Sequence, residues 1–264
     1  MADARPAVSL IAPLASLRRA EEVVLRVGQA IRLGLLTDGE QLPPETEFAA
    51  RLGVSAMTLR EALAMLRQQG VVETRRGRAG GTFVRRPTAP QPGPLRERLR
   101  TMSARDLRDL TDEQSAVSGA AARLAATRAS TVSVRRLLAL ADQLAIATTT
   151  GARIMADSRF HIEVAVVSKS ERLTALEVAL QAQVAELLWL PADADDEAGR
   201  PAEQSRLAAD PASPHPAPAA GEHTAIAAAI EAEDGPRARL LAEEHAEANL
   251  RRLTALRLAL PPPP

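Results

Sequence analysis

Four histidines and no cysteine limit the chemistry open to this 264-residue chain. Asp157 and His161 stand four residues apart in Asp157-Ser158-Arg159-Phe160-His161. On a helix that spacing puts both side chains on one face, so a carboxylate and an imidazole converge as they do in divalent-metal sites. His223 opens a helical stretch at Glu222-His223-Thr224, His245 falls on the next one at Glu243-Glu244-His245, and His215 lies in a proline-rich stretch. Spacing alone leaves two readings open: ligands that meet, or histidines that serve core and surface separately. The absence of cysteine excludes disulfides, thiol nucleophiles, thiolate zinc sites and iron–sulfur clusters.

Arginine supplies a second chemistry. Val71-Val72-Glu73-Thr74-Arg75-Arg76-Gly77-Arg78-Ala79-Gly80-Gly81-Thr82-Phe83-Val84 reads as two short strands around a glycine- and arginine-rich turn. Gly80 and Gly81 let the backbone approach a phosphate or minor groove, and Arg75 and Arg78 bring charge. A solvated charge run is the alternative for these arginines taken alone. Upstream, Phe48, Ala49 and Leu52 form the inner face of a short helix that Gly53 stops, and Ser55 caps a second helix with Leu59, Leu63 and Leu66 inward. Thr58, Arg60, Glu61 and Arg67 are left for another face. A helix–turn–helix of this form holds its second helix where the N-terminal half can enter a major groove.

The positioning elements follow from composition and punctuation. Hydrophobic residues make up 46% and aromatics 2%, so the core is built of Ala, Leu and Val, which suits closely packed helices. The first 88 residues carry 13 Arg and 9 acids, and the remainder 20 basic and 24 acidic residues, a basic front and an acidic rear that point to two domains with different partners. Four prolines between Pro87 and Pro94 read as an extended linker. Pro191 to about Gly221 reads as a long mobile loop, and Pro261–Pro264 as a tail. Helical spacing through Leu137, Leu138, Ala141 and Leu144, through Leu173–Leu188 and through Leu240–Leu256 predicts six or seven helices from about Ser103 to Leu260. The fold class is mostly α: a flexible start (1–15), a winged helix-turn-helix (16–86), a linker (87–100) and an all-α domain (101–260). No apolar run approaches the ~18 residues that span a bilayer. The acid at Asp3 and the break at Pro13 argue against a signal peptide, so a cytoplasmic protein that engages no membrane is expected.

Leu42-Pro43-Pro44-Glu45, Ala49-Ala50-Arg51-Leu52-Gly53-Val54-Ser55, Leu59-Arg60-Glu61-Ala62-Leu63 and Gly80-Gly81-Thr82-Phe83-Val84 resemble, in order, the DNA-binding domain of the GntR family of bacterial transcription regulators. The resemblance implies a homodimer on a short palindromic double-stranded operator, acting as repressor or activator. It assigns DNA contacts to Thr46, Ser55, Thr58, Arg60, Arg75, Arg78, Gly80 and Gly81. The rear half is similar to the all-helical FCD effector domain of the FadR/FCD branch. That likeness makes Asp157, His161, His223 and His245 a divalent-metal site above a pocket for a small carboxylate effector. Zn, Ni or Mn suits such donors. Arg123 and Arg159 are the candidate pocket cations, and the apolar face around Leu137–Leu144 is a candidate dimer surface.

The chain departs from the family pattern in five places. Thr46 and Ala56 stand where the family has arginines that touch DNA, so an altered operator preference or weaker binding follows. Gln114 and Ser118 replace an Arg and a Glu, and Ser168-Lys169-Ser170 replaces Ser-Gly-Asn. A metal-dependent hydrolase on the same four ligands is the rival function; it requires a general base such as Glu163, Glu243 or Glu244 and leaves the winged helix without a task. A third reading makes the metal structural, or itself the signal.

Overall fold

The computed structural model describes residues 16–77, 80–85, 92–190 and 216–260. The expectations for 1–15, Arg78, 87–91, His215 with the rest of 191–215, and 261–264 lie outside those residues. The chain divides into two compact units, Met1–Pro87 and Thr88–Pro264.

In the first unit, α1 (Ser16–Arg32), α2 (Glu45–Leu52) and α3 (Ala56–Gln68) precede a hairpin of β1 (Val72–Arg75) and β2 (Gly81–Val84). Val23, Val27 and Ile31 of α1 recur at four-residue spacing and bury with Leu59, Leu63 and Leu66 of α3 and with Leu42, Val72 and Val84. Gly53 ends α2 in the left-handed conformation, at φ 67°. Ser55 then starts α3 by accepting the Thr58 N–H. The hairpin pairs Val72 with Val84 and Arg75 with Gly81, and Gln41 bridges Phe83 on the other edge of β2.

The second unit holds α4 (Pro92–Thr101), α5 (Ala104–Arg128), α6 (Thr131–Ala145), α7 (Thr150–Val167), α8 (Glu171–Leu188), α9 (Pro216–Glu231) and α10 (Gly235–Ala259). Its long helices have side-chain caps: a Ser103/Asp106 capping box on α5, then Ser130, Thr149, Ser170 and Asp234 on α6, α7, α8 and α10. Ala121, Ala122, Ala125 and Ala126 of α5 share a core with Ala238 and Ala242 of α10. Small side chains let these backbones run close together. Most of the circumference of α7 is buried, from Ile154 through Asp157, Phe160 and His161 to Val164, Ala165 and Val167. Polar residues on that helix are therefore shut inside the bundle. No helix among the described residues is long and apolar enough to cross a membrane.

Three expectations need correction. Residues 92–100 are not an extended linker but helix α4, and 216–221 are not loop but the start of α9. The reason is the same in both: a proline in the first helical turn has no intrahelical N–H bond to forfeit. Leu137, Leu140, Ala141 and Leu144 are buried in the core of their own unit, so they offer no surface to a second subunit.

Between α7 and α8, Lys169 takes φ 52°, a conformation that strains a residue with a Cβ. Lys169→Gly is expected to stabilise the protein by about 0.5–1 kcal/mol, seen as a higher denaturant midpoint at unchanged slope. An unmoved or lower midpoint would show that this turn stores no strain.

Candidate metal centre and nucleic-acid interface

The predicted ligand residues meet. Asp157 and His161 project from successive turns of α7, His223 comes from the second turn of α9, and His245 from the middle of α10. Each offers one ligand atom, these atoms lie within 4.8 Å of one another, and all four residues are buried. The Nε2 atoms of His161 and His245 are 3.1 Å apart. Asp157 Oδ1 stands 3.4 Å from His223 Nε2 and 3.9 Å from His161 Nε2. The Phe160 ring, one residue before His161, stacks on His223 at 4.1 Å between centroids and 6° between planes, which fixes the plane of that imidazole.

The donor set fits a divalent cation. Asp157 Oδ2 and both ring nitrogens of His223 are buried without a hydrogen-bond partner, and such atoms are costly to leave unmatched. Burial, reinforced by the neighbouring imidazoles, holds His161 and His223 well below the usual histidine pKa. Both rings are thus neutral and present lone pairs. Burial raises the Asp157 carboxyl.

Behind His245 lies a relay that the sequence reading missed. His245 Nδ1 donates to Glu222 Oε2 at 2.6 Å, and Arg252 Nη2 forks onto both Glu222 oxygens at 2.8 and 2.9 Å. Burial pushes Glu222 up, yet the bonds and charges of His245 and Arg252 hold it below the ordinary carboxylate value. With its Nδ1 proton committed, His245 turns the Nε2 lone pair to the cluster. Arg252 also donates to Asn249 Oδ1 at 2.7 Å. Trp189 is buried next to Asp157, where its indole N–H favours the charged carboxylate.

The two arginines expected to serve an effector are elsewhere. Arg123 is exposed on α5, its side chain against Gly235. Arg159 acts on Glu163, which pairs with Arg136 at 3.2 Å. Two residues past Asp157 is about 200° around the helix, at 3.6 residues per turn, so Arg159 points away from the ligands. Arg252 is instead a cation whose charge reaches Asp157 and His223.

In the first unit, Thr46, Ser55 and Arg60 are exposed around the start of α3. Arg60 Nε bonds Glu45 Oε2 at 2.8 Å across the turn. Thr58 departs from expectation: it is buried, with its hydroxyl 2.9 Å from that of Ser55, because it shares an inward face with Ala62 one turn on. Met57, unremarked in the sequence, is 61% exposed on the same turn, and an apolar side chain there suits a thymine methyl. Arg75 lies 4.3 Å over the Phe83 ring and pairs with Glu73 at 2.7 Å. Gly80 and Gly81 shape the wing: a Cβ on Gly80 would meet the Arg75 and Gly77 carbonyls at 2.7 Å, and one on Gly81 the Gln41 amide at 2.5 Å.

Comparison with known proteins agrees with both units. Residues 19–84 match the family described as bacterial regulatory proteins, gntR family, and residues 109–248 match the FCD domain. A Mycobacterium gastri protein described as an HTH-type transcriptional regulator, RmpR, is 40% identical over 250 residues, covering 94% of this chain and 84% of that protein. An L-lactate dehydrogenase operon regulatory protein of Escherichia coli K12 is 35% identical over 155 residues, 57% of this chain and 59% of that one. The solved structure of E. coli McbR/YncC covers 90% of this chain and 96% of its own at 18% identity and a TM-score of 0.47.

Two outcomes follow from the geometry. Glu222→Gln is expected to weaken zinc affinity by about 10–100-fold in competition with a chromogenic chelator; unchanged affinity would remove Glu222 from the site. In chelator, the chain is expected to lose stability as pH falls below the unfolded histidine value near 6.5. The unfolded state then binds protons that His161 and His223 refuse when folded, and Asp157, shifted up, works in the opposite sense. The net slope is of order 1 kcal/mol per pH unit, and a flat profile from pH 7 to 5.5 would contradict neutral buried imidazoles.

Proposed function

This chain belongs to the gntR family of bacterial regulatory proteins, in the branch that joins an FCD domain to the DNA-binding unit, and from that premise we propose a metal-anchored, ligand-responsive regulator. It is a transcription regulator of the GntR/FCD type, and its relatives are regulators rather than enzymes. In this reading residues 16–86 bind DNA, residues 101–260 sense, and the chain works as a cytoplasmic homodimer on a palindromic operator.

The convergence of Asp157, His161, His223 and His245 from three helices, with orphaned ligand atoms, carries the proposal. These residues would hold Zn, Ni or Mn, and the ion would supply a positive anchor for the carboxylate of a small metabolite. The chain's own contribution is mechanical. Ligands on α7, α9 and α10 are drawn to one point, so a molecule that binds there favours one packing of those helices over another. A difference in affinity between two packings is the free energy by which a ligand biases operator binding. The candidate bases of the hydrolase alternative are engaged or face outward: Glu163 pairs with Arg136, Glu243 with Arg239 at 2.6 Å, and Glu244 is exposed.

On DNA, Ser55, Met57 and Arg60 of α3 would face the major groove, Thr46 would stand beside them, and Arg75 would meet the backbone from the wing. Genomic fragments captured on the purified chain are expected to enrich one short palindrome that survives near-physiological salt. Arg60→Ala is expected to cost about 1–3 kcal/mol there, roughly 5–150-fold in affinity. Binding that vanishes with salt in the parent chain would leave only phosphate contacts and contradict sequence-specific reading.

A further inference from the structure

Away from the four ligands, a second concentration of buried polar atoms lies on the seam between α5 and α8. Gln114 and Ser118 are one turn apart on α5, Glu177 and Gln181 one turn apart on α8, and none of the four is more than 6% exposed. Ser118 Oγ donates to Glu177 Oε2 at 2.8 Å, and Gln181 Nε2 donates to Glu177 Oε1 at 3.0 Å. Two atoms remain over: the Gln114 Nε2 donor and the Gln181 Oε1 acceptor, both buried without a partner. The two Glu177 oxygens thus accept from uncharged donors, a serine hydroxyl and a glutamine amide. The seam lies in the same bundle as the ligand cluster: α5 and α8 both pack on α7 and α10, which carry Asp157, His161 and His245, and burial pushes the Glu177 carboxyl up.

Each unmatched buried atom costs roughly 1–3 kcal/mol, and a bundle of alanine and leucine has no packing need for four such groups. A molecule that fills this requirement must accept a hydrogen bond from Gln114 and donate one to Gln181. A single hydroxyl does both. A carboxylate accepts but cannot donate, and it would face the Gln181 oxygen and the Glu177 carboxyl. An ammonium donates but leaves the Gln114 N–H unmet, and a methyl answers neither.

Resting on the reading of the helical unit as a metal-anchored ligand site, we propose that the α5–α8 seam is its second half, binding the uncharged hydroxyl end of the ligand and rejecting a second carboxylate. Gln114 and Gln181 select the hydroxyl, and Glu177 excludes the anion.

The test uses the full chain loaded with zinc and matched sets of three- to five-carbon acids that differ only at the far end: hydroxyl, carboxylate, ammonium or methyl. Affinities come from the concentration dependence of the melting temperature. The hydroxyl acid is expected to bind about 10-fold more tightly than its methyl counterpart, and the dicarboxylate most weakly. Gln114→Leu is expected to abolish the hydroxyl preference while raising the unliganded melting temperature. Glu177→Gln is expected to lift the discrimination against the dicarboxylate. A dicarboxylate that binds as well as the hydroxyl acid, or two variants that keep the parent's order, would overturn the seam alone. No stabilisation by any acid, with zinc itself still bound, would overturn the carboxylate anchor and the seam with it.

Discussion

A carboxylate and three imidazoles enclosed by alanine, leucine and phenylalanine are the constraint on which the helical unit depends. Asp157, His161, His223 and His245 lie between 0% and 5% exposed, so water cannot complete their hydrogen bonds. An isolated buried charge is expensive, and the chain meets that cost in three ways. Two histidines are held neutral by burial. The third is tied through Glu222 to Arg252, which places the compensating charges toward the surface. Asp157 turns Oδ1 to the imidazoles and keeps Oδ2 unmatched. An ion shared by the four would remove the remaining mismatch and would tie three separate helices into one mechanical unit.

The surroundings make sense as support for that point. Phe160 precedes His161, so the residue that packs the core also stacks on His223. Alanines on α5 and α10 bring these helices close enough for α10 to deliver His245. Gly119 sits where a Cβ would press on Glu243 at 3.1 Å. In the DNA-binding unit the corresponding constraint is backbone geometry. Gly53 at φ 67° and the Ser55 cap set the angle at which α3 leaves α2, and the Arg60–Glu45 pair ties their exposed ends.

Much of this was legible in the sequence because it depends on local spacing. Leu59, Leu63 and Leu66 announce α3, Gly53 and Ser55 its boundaries, and Asp157 with His161 a shared helix face. Proline misled twice, at Pro92 and Pro216, because a residue that breaks a helix interior is neutral in its first turn. Thr58 misled because a polar side chain was read as exposed, although Ser55 satisfies its hydroxyl and leaves it free to turn inward. Glu222, Arg252 and Glu177 were not legible at all. They resemble the chain's other charged residues until the helices are packed, and only burial and partners in space set them apart. Arg123 and Arg159 failed for the converse reason: charge type fitted the expected ligand, but helical phase turned them away.

One ion shared by the four buried ligands would hold α7, α9 and α10 together. The most direct test is elemental analysis of the purified chain, joined to its melting curve before and after chelation. One divalent ion per chain is expected, with a marked fall in the melting temperature on its removal and recovery on re-addition, all lost in His223→Ala. A chain that carries no ion, takes none up, and melts identically with and without chelator would contradict a shared ion.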